Sequence, residues 1–230
     1  MATTPRERAR EQTLAEITRI GREHLATHGA AALSLRAVAR DLGVVSSAVY
    51  RYVASRDELL TLLVVDGYTE LGGEVDAAVA ERPADDHRGR LHALARAVRE
   101  WAVREPSRYA LLFGSPVPGY HAPAERTTGP GTLVIVEMVG IIEAAYRAGA
   151  VALPETPIDP RLVADLDRIR AEMGLTVPDE LLARGVLAWA ALFGAVNFEV
   201  FGQYGADTFA DPAALFEHHL VVFDQMVGLA

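Results

Sequence analysis

The chain has 230 residues, 50% of them hydrophobic, which is enough to bury a sizeable core in one large or two small domains. It carries a net charge of −9, has no cysteine for a disulfide framework or a thiolate metal site, and shows no apolar run approaching the ~18–20 residues of a membrane helix. The first residues also lack the apolar segment of a signal peptide, so we expect a cytoplasmic protein.

The charges are distributed unevenly along the chain. Residues 1–60 hold nine arginines against seven acidic residues, whereas the remainder holds thirteen against twenty-four. The chain contains no lysine, so every side-chain cation other than histidine is a guanidinium. This asymmetry is compatible with one end that faces DNA and another that repels it.

Apolar positions recur at helical spacing nearly throughout, and the alternating pattern of half-buried strands is missing. Asp159-Pro160 and Asp211-Pro212 are typical helix starts, Ser55 to Glu58 has the spacing of a capping box, and Gly129-Pro130-Gly131 predicts a break. The fold class is therefore predicted to be all-α, with about ten helices. They are expected over residues 8–27, 35–42, 46–52, 56–81, 87–104, 107–114, 131–149, 160–173, 179–204 and 212–228.

The most informative stretch contains two short predicted helices, 35–42 and 46–52, which Ser34 and Ser46 can cap. Gly43 between them suits a left-handed helix end. Two short helices joined by such a turn form a helix-turn-helix unit, although an ordinary helical hairpin has the same spacing. In the second helix the apolar side chains are expected to face inward, while Ser47 and Arg51 face outward with Tyr50 on the flank, a surface that suits a major groove.

Three segments, Thr27-His28-Gly29, residues 33–44 and residues 48–60, resemble the N-terminal signature of the TetR family of bacterial transcriptional regulators. The resemblance implies a three-helix DNA-binding head over residues 1–55. It also implies a helical ligand-binding and dimerisation body over residues 56–230, with helix 56–81 as the connector. The expected function is a ligand-responsive transcriptional regulator, most simply a repressor that acts as a homodimer on a palindromic operator.

The resemblance also implies roles for individual residues. Ser34 corresponds to a phosphate contact, Tyr50 to a DNA-contacting tyrosine, Tyr52 to a backbone-contacting aromatic residue, and Arg56 to a basic residue near a phosphate. The predicted DNA-binding set is Ser34, Arg36, Ser46, Ser47, Tyr50, Arg51, Tyr52 and Arg56.

Four positions depart from the family pattern: Val53 replaces a common phenylalanine, Ala54 replaces a common proline, and the other two lose polar groups. Val45 stands where the family often has serine, and Ser46 stands where it often has lysine or arginine. Because both changes remove polar contacts, Arg51 and Ser47 are expected to carry more of the readout. The same departures leave open an alternative function, a helical small-molecule-binding protein that does not bind DNA.

In the body, residues 91–113 and Trp189 to Gly194 are similar to a TetR C-terminal subgroup, with Phe193 in place of the subgroup's histidine. Glu137 is either an edge residue that reaches solvent or a pocket carboxylate, while Glu143 and Arg147 have the spacing of a surface ion pair. The predicted ligand-binding set is Trp101, Tyr109, Phe113, Glu137, Ile141, Trp189, Phe193 and Asn197. Such a pocket favours a small, mostly hydrophobic effector with one or two hydrogen-bonding groups, unless these side chains simply pack on each other.

The last two helices, 179–204 and 212–228, are expected to form half of a four-helix dimer interface, with Phe216 and Phe223 on the seam. No nucleophile elbow, phosphate loop or paired-carboxylate motif is present, so neither an enzyme, a cofactor nor a metal site is predicted.

Overall fold

A computed structural model describes residues 4–152 and 156–229. The described residues form eleven α-helices and one short 3₁₀ turn, and none lies in a strand, which confirms the predicted all-α class. In chain order these elements are α1 Pro5–His28, the 3₁₀ turn Ala30–Ala32, α2 Leu35–Asp41, α3 Ser46–Val49, α4 Arg56–Ala80, α5 His87–Arg104, α6 Pro106–Phe113, α7 Ala124–Gly131, α8 Leu133–Arg147, α9 Val163–Met173, α10 Asp179–Val200 and α11 Pro212–Val227.

The chain divides into two compact units. The first combines Met1–Glu70 with Arg104–Gly131, and the second combines Leu71–Val103 with Thr132–Ala230. The division falls within α4, so the head is in one unit with the start of that helix. The predicted boundary between residues 55 and 56 stays a prediction.

The first unit is built around a cluster of buried apolar side chains from α1 to α4. Ile17 and Ile20 on α1, Val38 on α2 and Leu59 and Leu60 on α4 are members of this cluster. Leu111, Val117 and Tyr120 pack against it from the later part of the chain. Helices α1, α2 and α3 therefore share one core with α4 and α6.

The second unit has its core between α5, α8, α10 and α11. Helix α10 is long and apolar enough to cross a membrane by length and composition alone, although its sequence contains no uninterrupted apolar run of ~18–20 residues. Its buried side chains face α8, α9 and α11, and Glu199 near its end pairs with Arg99 at 2.5 Å. One face of α10 therefore packs within the second unit, and its other face is exposed.

Several predicted boundaries were wrong. The region predicted as one helix over 131–149 is interrupted at Thr132, and a helix not predicted, α7, precedes it despite Pro130 in its last turn. Helix α9 begins at Val163 rather than at residue 160, and residues 160–162 form a turn in which the Asp159 side chain accepts the amide of Arg161 at 2.9 Å. The cap at Asp211 is confirmed, since its carboxylate accepts the amide of Ala214 at 3.0 Å.

Candidate DNA-binding face and apolar cavity

Helices α2 and α3 have the geometry of the predicted helix-turn-helix. Leu35 and Val38 on α2 and Val49 on α3 are buried, and Val53 just beyond α3 is fully buried. Gly43 between the helices has φ +73°, the left-handed conformation that glycine adopts at little cost. Helix α3 is shorter than predicted, because its last residues form a tight turn in which the amide of Tyr52 bonds the carbonyl of Val49. The predicted cap is wrong here, since Ser46 is the first helical residue and Val45 is the N-cap.

The outward face of this unit carries the polar side chains predicted to meet DNA. Tyr50 is 46% exposed, and Ser47, Arg51 and Arg36 are exposed as well. Ser34 precedes α2 without making a side-chain capping bond, so its hydroxyl is not used in starting that helix. These groups can contact phosphates and base edges without disturbing the core beneath them.

Two other predicted contacts are partly engaged within the head. Arg56 donates from one guanidinium nitrogen to the carbonyl oxygens of Ala30 and Ala31, at 3.0 and 3.4 Å, and so ties the 3₁₀ turn to the start of α4. The ring of Tyr52 packs against the core, and the guanidinium of Arg10 lies over that ring at 5.5 Å from its centre. Arg10 was not predicted, because the first turns of α1 bury no residue before Ile17 and show no pattern beyond a solvated face.

The two valines of the turn are unusually exposed. Val44 is 40% exposed and Val45 is 71% exposed, although both are apolar and lie beside the polar side chains of α3. An apolar group in this position suits contact with the methyl group of thymine in the major groove. Val45, which stands where the family often has serine, therefore removes a hydroxyl group but adds exposed methyl groups.

A group of ion pairs links α1, α4 and α6 beside this head. Arg108 on α6 is 4% exposed and donates to Glu70 at 2.6 Å and to Asp66 at 2.9 Å, and Arg22 on α1 binds the same two carboxylates. Burial acts to lower the pKa of Arg108, but the hydrogen bonds and charges of the carboxylates outweigh it and raise the pKa, so the side chain stays charged. This cluster fixes three helices of the first unit to each other.

The residues predicted to bind a ligand lie in both units. Tyr109 and Phe113 are neighbours in the first unit, with ring centres 5.1 Å apart, and Trp189 and Phe193 are neighbours in the second, at 4.3 Å. Trp101, in the second unit, is fully buried.

The remaining three predicted ligand residues belong to the second unit. Ile141 is buried, and the half-buried Glu137 pairs with Arg90 at 3.3 Å. Its carboxylate is thus neither fully solvated nor free in a pocket. Asn197 has a buried side-chain oxygen that accepts no hydrogen bond from the described residues.

An apolar cavity of about 250 Å³ lies in the second unit, between α8, α9, α10 and the loop before α10. Its walls include Val139 and Ile142 on α8, Met173 at the end of α9, and Gly185 and Trp189 on α10. Of the eight residues predicted to bind ligand, Trp189 alone lines it. The cavity was not predicted because the residues that line it are far apart in sequence. Gly185, a glycine inside the apolar helix α10 where close packing does not require one, is a signal that could have indicated it.

The loop beside this cavity is fastened by a buried carboxylate. Glu143 accepts hydrogen bonds from the amide of Thr176 at 2.8 Å, from its hydroxyl at 2.5 Å and from the amide of Val177 at 3.2 Å. Burial acts to raise the pKa of Glu143, but these hydrogen bonds and the charge of Arg147 outweigh it and lower the pKa below its usual value. The predicted pair with Arg147 is present at 2.6 Å, but its prediction as an ordinary surface pair was wrong, because Glu143 is 8% exposed and holds a loop.

A second, mostly apolar depression lies between α10 and α11, lined by the small residues Ala191 and Gly194 and by larger ones such as Phe198 and Met226. Phe223, predicted to lie on a dimer seam, is 8% exposed and so is already buried within one protomer. The exposed apolar side chains of these two helices are instead Val186, Leu187, Phe198, Val221 and Val222.

Comparisons with known proteins decide the family. Residues 17–63 match the bacterial regulatory proteins of the tetR family, and residues 91–223 match the tetracyclin repressor-like C-terminal domain. The HTH-type transcriptional regulators Rv1816 of Mycobacterium tuberculosis and Mb1846 of Mycobacterium bovis are each 50% identical to the chain over 209 residues, which cover 91% of this chain and 89% of theirs. The chain belongs to the TetR family.

Solved structures agree with this assignment. The crystal structure of the regulatory protein SCO4313 has a TM-score of 0.77 at 37% identity, over 96% of this chain and 98% of that one. A tetR-family regulatory protein from Rhodococcus RHA1 shares the fold, with a TM-score of 0.61 at 18% identity over 94% and 97% of the two chains.

Membership of the TetR family makes the protein a DNA-binding transcriptional regulator and not an enzyme. It therefore favours the first of the two functions considered from the sequence over a helical binding protein without DNA. Helices α2 and α3 lie within the matched tetR-family segment, and the residues that line the cavity lie within the matched C-terminal domain.

Proposed function

We propose that this TetR-family regulator is a cytoplasmic homodimeric repressor that binds a palindromic operator and releases it when a small, mostly hydrophobic molecule binds in the body. The observation that carries the DNA-binding part is the exposed polar face of α2 and α3 on a fully packed core. The predicted contacts Ser34, Arg36, Ser46, Ser47, Tyr50, Arg51, Tyr52 and Arg56 remain the proposed set.

A palindromic operator follows from two copies of this head. Two recognition helices in one dimer reach successive major grooves when they are about 34–36 Å apart. A ligand that favours a different separation weakens DNA binding by as much as its affinities for the two states differ.

The proposed dimer interface uses α10 and α11. Leu187 is 56% exposed, and Phe198 and Val222 are exposed by more than 40% each, on helices whose other faces are buried in the protomer. Large apolar side chains gathered on one face favour association with another protein surface. A second copy of the same face satisfies this requirement by two-fold symmetry.

The proposed effector sites are of two kinds. The residues predicted from the sequence include Asn197, whose buried oxygen suits a hydrogen-bond donor on a ligand. The apolar cavity beside Trp189 provides a second enclosed surface in the same unit. Both favour hydrophobic molecules over phosphorylated metabolites.

The DNA-binding face is tested with Arg51→Ala and Tyr50→Phe, measured by fluorescence anisotropy on an operator fragment selected from genomic DNA. Both variants are expected to bind more weakly, and loss of a phosphate contact at Arg51 should lower the slope of log K against log salt by about one. Arg82→Ala, which removes an exposed arginine outside the head, is the control and should leave the slope unchanged. Unchanged affinity and slope in both head variants would show that α3 is not the recognition helix.

A further inference from the structure

The cavity between α8, α9 and α10 has walls of one chemical character. Every residue that lines it is apolar, and the indole N–H of Trp189 is the sole side-chain donor among them. The lining residues are recessed, apart from Val186, which is 53% exposed at the mouth. A surface of this kind holds a molecule mainly by removing apolar area from water.

The cavity is also large enough for a ring system. A protein cavity of about 150 Å³ lined by apolar side chains stays dry and binds benzene. The volume here is about 250 Å³, so a molecule of two fused rings or a short branched alkyl chain can be accommodated.

Close packing of α10 against α8 does not require the glycine that leaves this cavity open. A Cβ atom added to Gly185 would approach the Cδ1 atom of Ile142 at 3.8 Å, an ordinary contact, so α10 does not need a glycine there to lie against α8. Glycine weakens the interior of a helix. At this position it leaves open a space that a larger side chain would fill.

The wall formed by the loop is held from outside the cavity. Glu143 binds Thr176 and Val177, and Arg170 donates to the carbonyl oxygen of Val177 at 3.0 Å. The loop is thereby fixed without any ligand. Preorganised walls favour binding because little conformational freedom is lost when the ligand enters.

The arginines beside the loop do not offer a site for an anion. Arg147 pairs with Glu143, and Arg170 pairs with Asp167 and Asp179. A carboxylate or phosphate on a ligand would have to displace one of these partners. A neutral molecule has no such cost.

We propose that this cavity is a binding site for a small neutral hydrocarbon-like molecule, aromatic or short-alkyl, without a charged group. Binding requires the cavity alone, whereas its effect on DNA rests on the function proposed above.

The test uses ¹⁹F NMR of 1-fluoronaphthalene with the full-length protein. Gly185→Leu places a side chain in the cavity, and Val139→Phe fills it from α8 if the first variant fails to fold. Gly140→Leu is the matched control, because a Cβ there meets no atom within 4 Å and the residue is exposed on the same helix as Val139.

Saturable broadening and shift of the fluorine signal are expected with the wild type and with Gly140→Leu, and at least tenfold weaker binding with the folded cavity variants. The matched anion 4-fluoro-1-naphthoate should bind at least tenfold more weakly than the neutral compound. Equal binding by wild type and cavity variants would overturn the site, and equal binding of the two compounds would overturn the neutral class. Loss of 1-fluoronaphthalene binding on dimer formation would overturn the proposal in favour of a second copy as the occupant of the cavity.

Anisotropy of an operator fragment with and without 1-fluoronaphthalene then separates the two proposals. Saturable binding without a change in DNA affinity supports the cavity site and argues against this site as the trigger of release. Release of DNA by wild type and by Gly140→Leu, but not by Gly185→Leu, supports both.

Discussion

The ion-pair cluster around Arg108 gives a quantitative prediction for the first unit. Arg108→Met keeps much of the side-chain volume but removes the donor that Glu70 and Asp66 share at 2.6 and 2.9 Å. Removing one partner of a buried pair typically costs about 3–5 kcal/mol, because the remaining charges lose their compensation. Arg22 still contacts both carboxylates, and these are 23% and 31% exposed, so we expect the lower end of that range, about 3 kcal/mol.

This cost is measured by urea denaturation followed by far-UV circular dichroism, with thermal melting as a second readout. A loss of about 3 kcal/mol corresponds to a decrease in Tm of roughly 6–12 °C for a chain of this size. The matched control is Arg96→Met, which breaks a two-hydrogen-bond arginine–glutamate pair with Glu217 at the surface of the second unit. Exposed pairs of that kind contribute about 0–1 kcal/mol. If the two variants lose equal stability, burial is not what makes the Arg108 cluster important.

Three further predictions concern the hydrogen bonds between Glu143 and the loop before α10, the proposed dimer, and the valines of the turn. Because the pKa of Glu143 is lowered in the folded protein, its contribution to stability is present above its unfolded pKa and is lost as the pH falls through its folded pKa. The urea midpoint of Glu143→Gln should therefore decrease less than that of the wild type between pH 6 and 3. Equal decreases would contradict a role of the Glu143 carboxylate in holding the loop. Leu187→Asp should raise the dissociation constant of the dimer in sedimentation analysis while leaving Tm of the protomer nearly unchanged, whereas a wild type that is monomeric at micromolar concentration would refute the dimer. For Val45, replacing operator thymines by uracil should weaken wild-type binding by about fourfold per contacted methyl, at about 0.8 kcal/mol, and Val45→Ser should be insensitive to the replacement. Equal sensitivity of both proteins would exclude a methyl contact.

The turn and the buried face of the head could be predicted because they depend on local rules. The left-handed turn at Gly43 and the inward valines at 49 and 53, like the cap at Asp211 in the body, each depend on residues within one or two helical turns. Such patterns are written in neighbouring positions of the sequence, and tertiary packing did not override them.

The helix start predicted at Asp159-Pro160 was wrong by three residues. Asp159 accepts the amide of Arg161 as a capping aspartate does, but its carboxylate also binds the Arg161 guanidinium, and the α-helix is established only from Val163. Helix α7 was not predicted, because glycine and proline at residues 129–131 favour a break in a helix. A proline in a last helical turn is tolerated when the helix is held elsewhere, here by the pairing of Arg126 with Glu58 at 2.8 Å.

The Arg108 ion pairs and the contact of Glu143 with its loop could not be predicted from the periodicity of the sequence. Arg108 and Glu70 are 38 residues apart, and the hydrogen bonds from Thr176 to Glu143 span 33 residues. A carboxylate with an arginine four residues later looks like a solvated pair until the loop that it binds is placed. A cavity is equally difficult to predict, because it is lined by residues that are distant in sequence, here from Ile135 to Trp189.

The contact between Arg10 and Tyr52 has a consequence for local motion. The first turns of α1 bury nothing, and the capping box at Thr4 and this stacking contact are among the interactions that hold them. A helical segment so short is only marginally stable in isolation, and segments with few buried contacts open at little free-energy cost. Their amide hydrogens should therefore exchange with solvent far faster than those around Ile17. When DNA occupies the face that Tyr52 borders, the exchange rate of these amides becomes a direct reporter of whether Arg10 keeps its place on the ring.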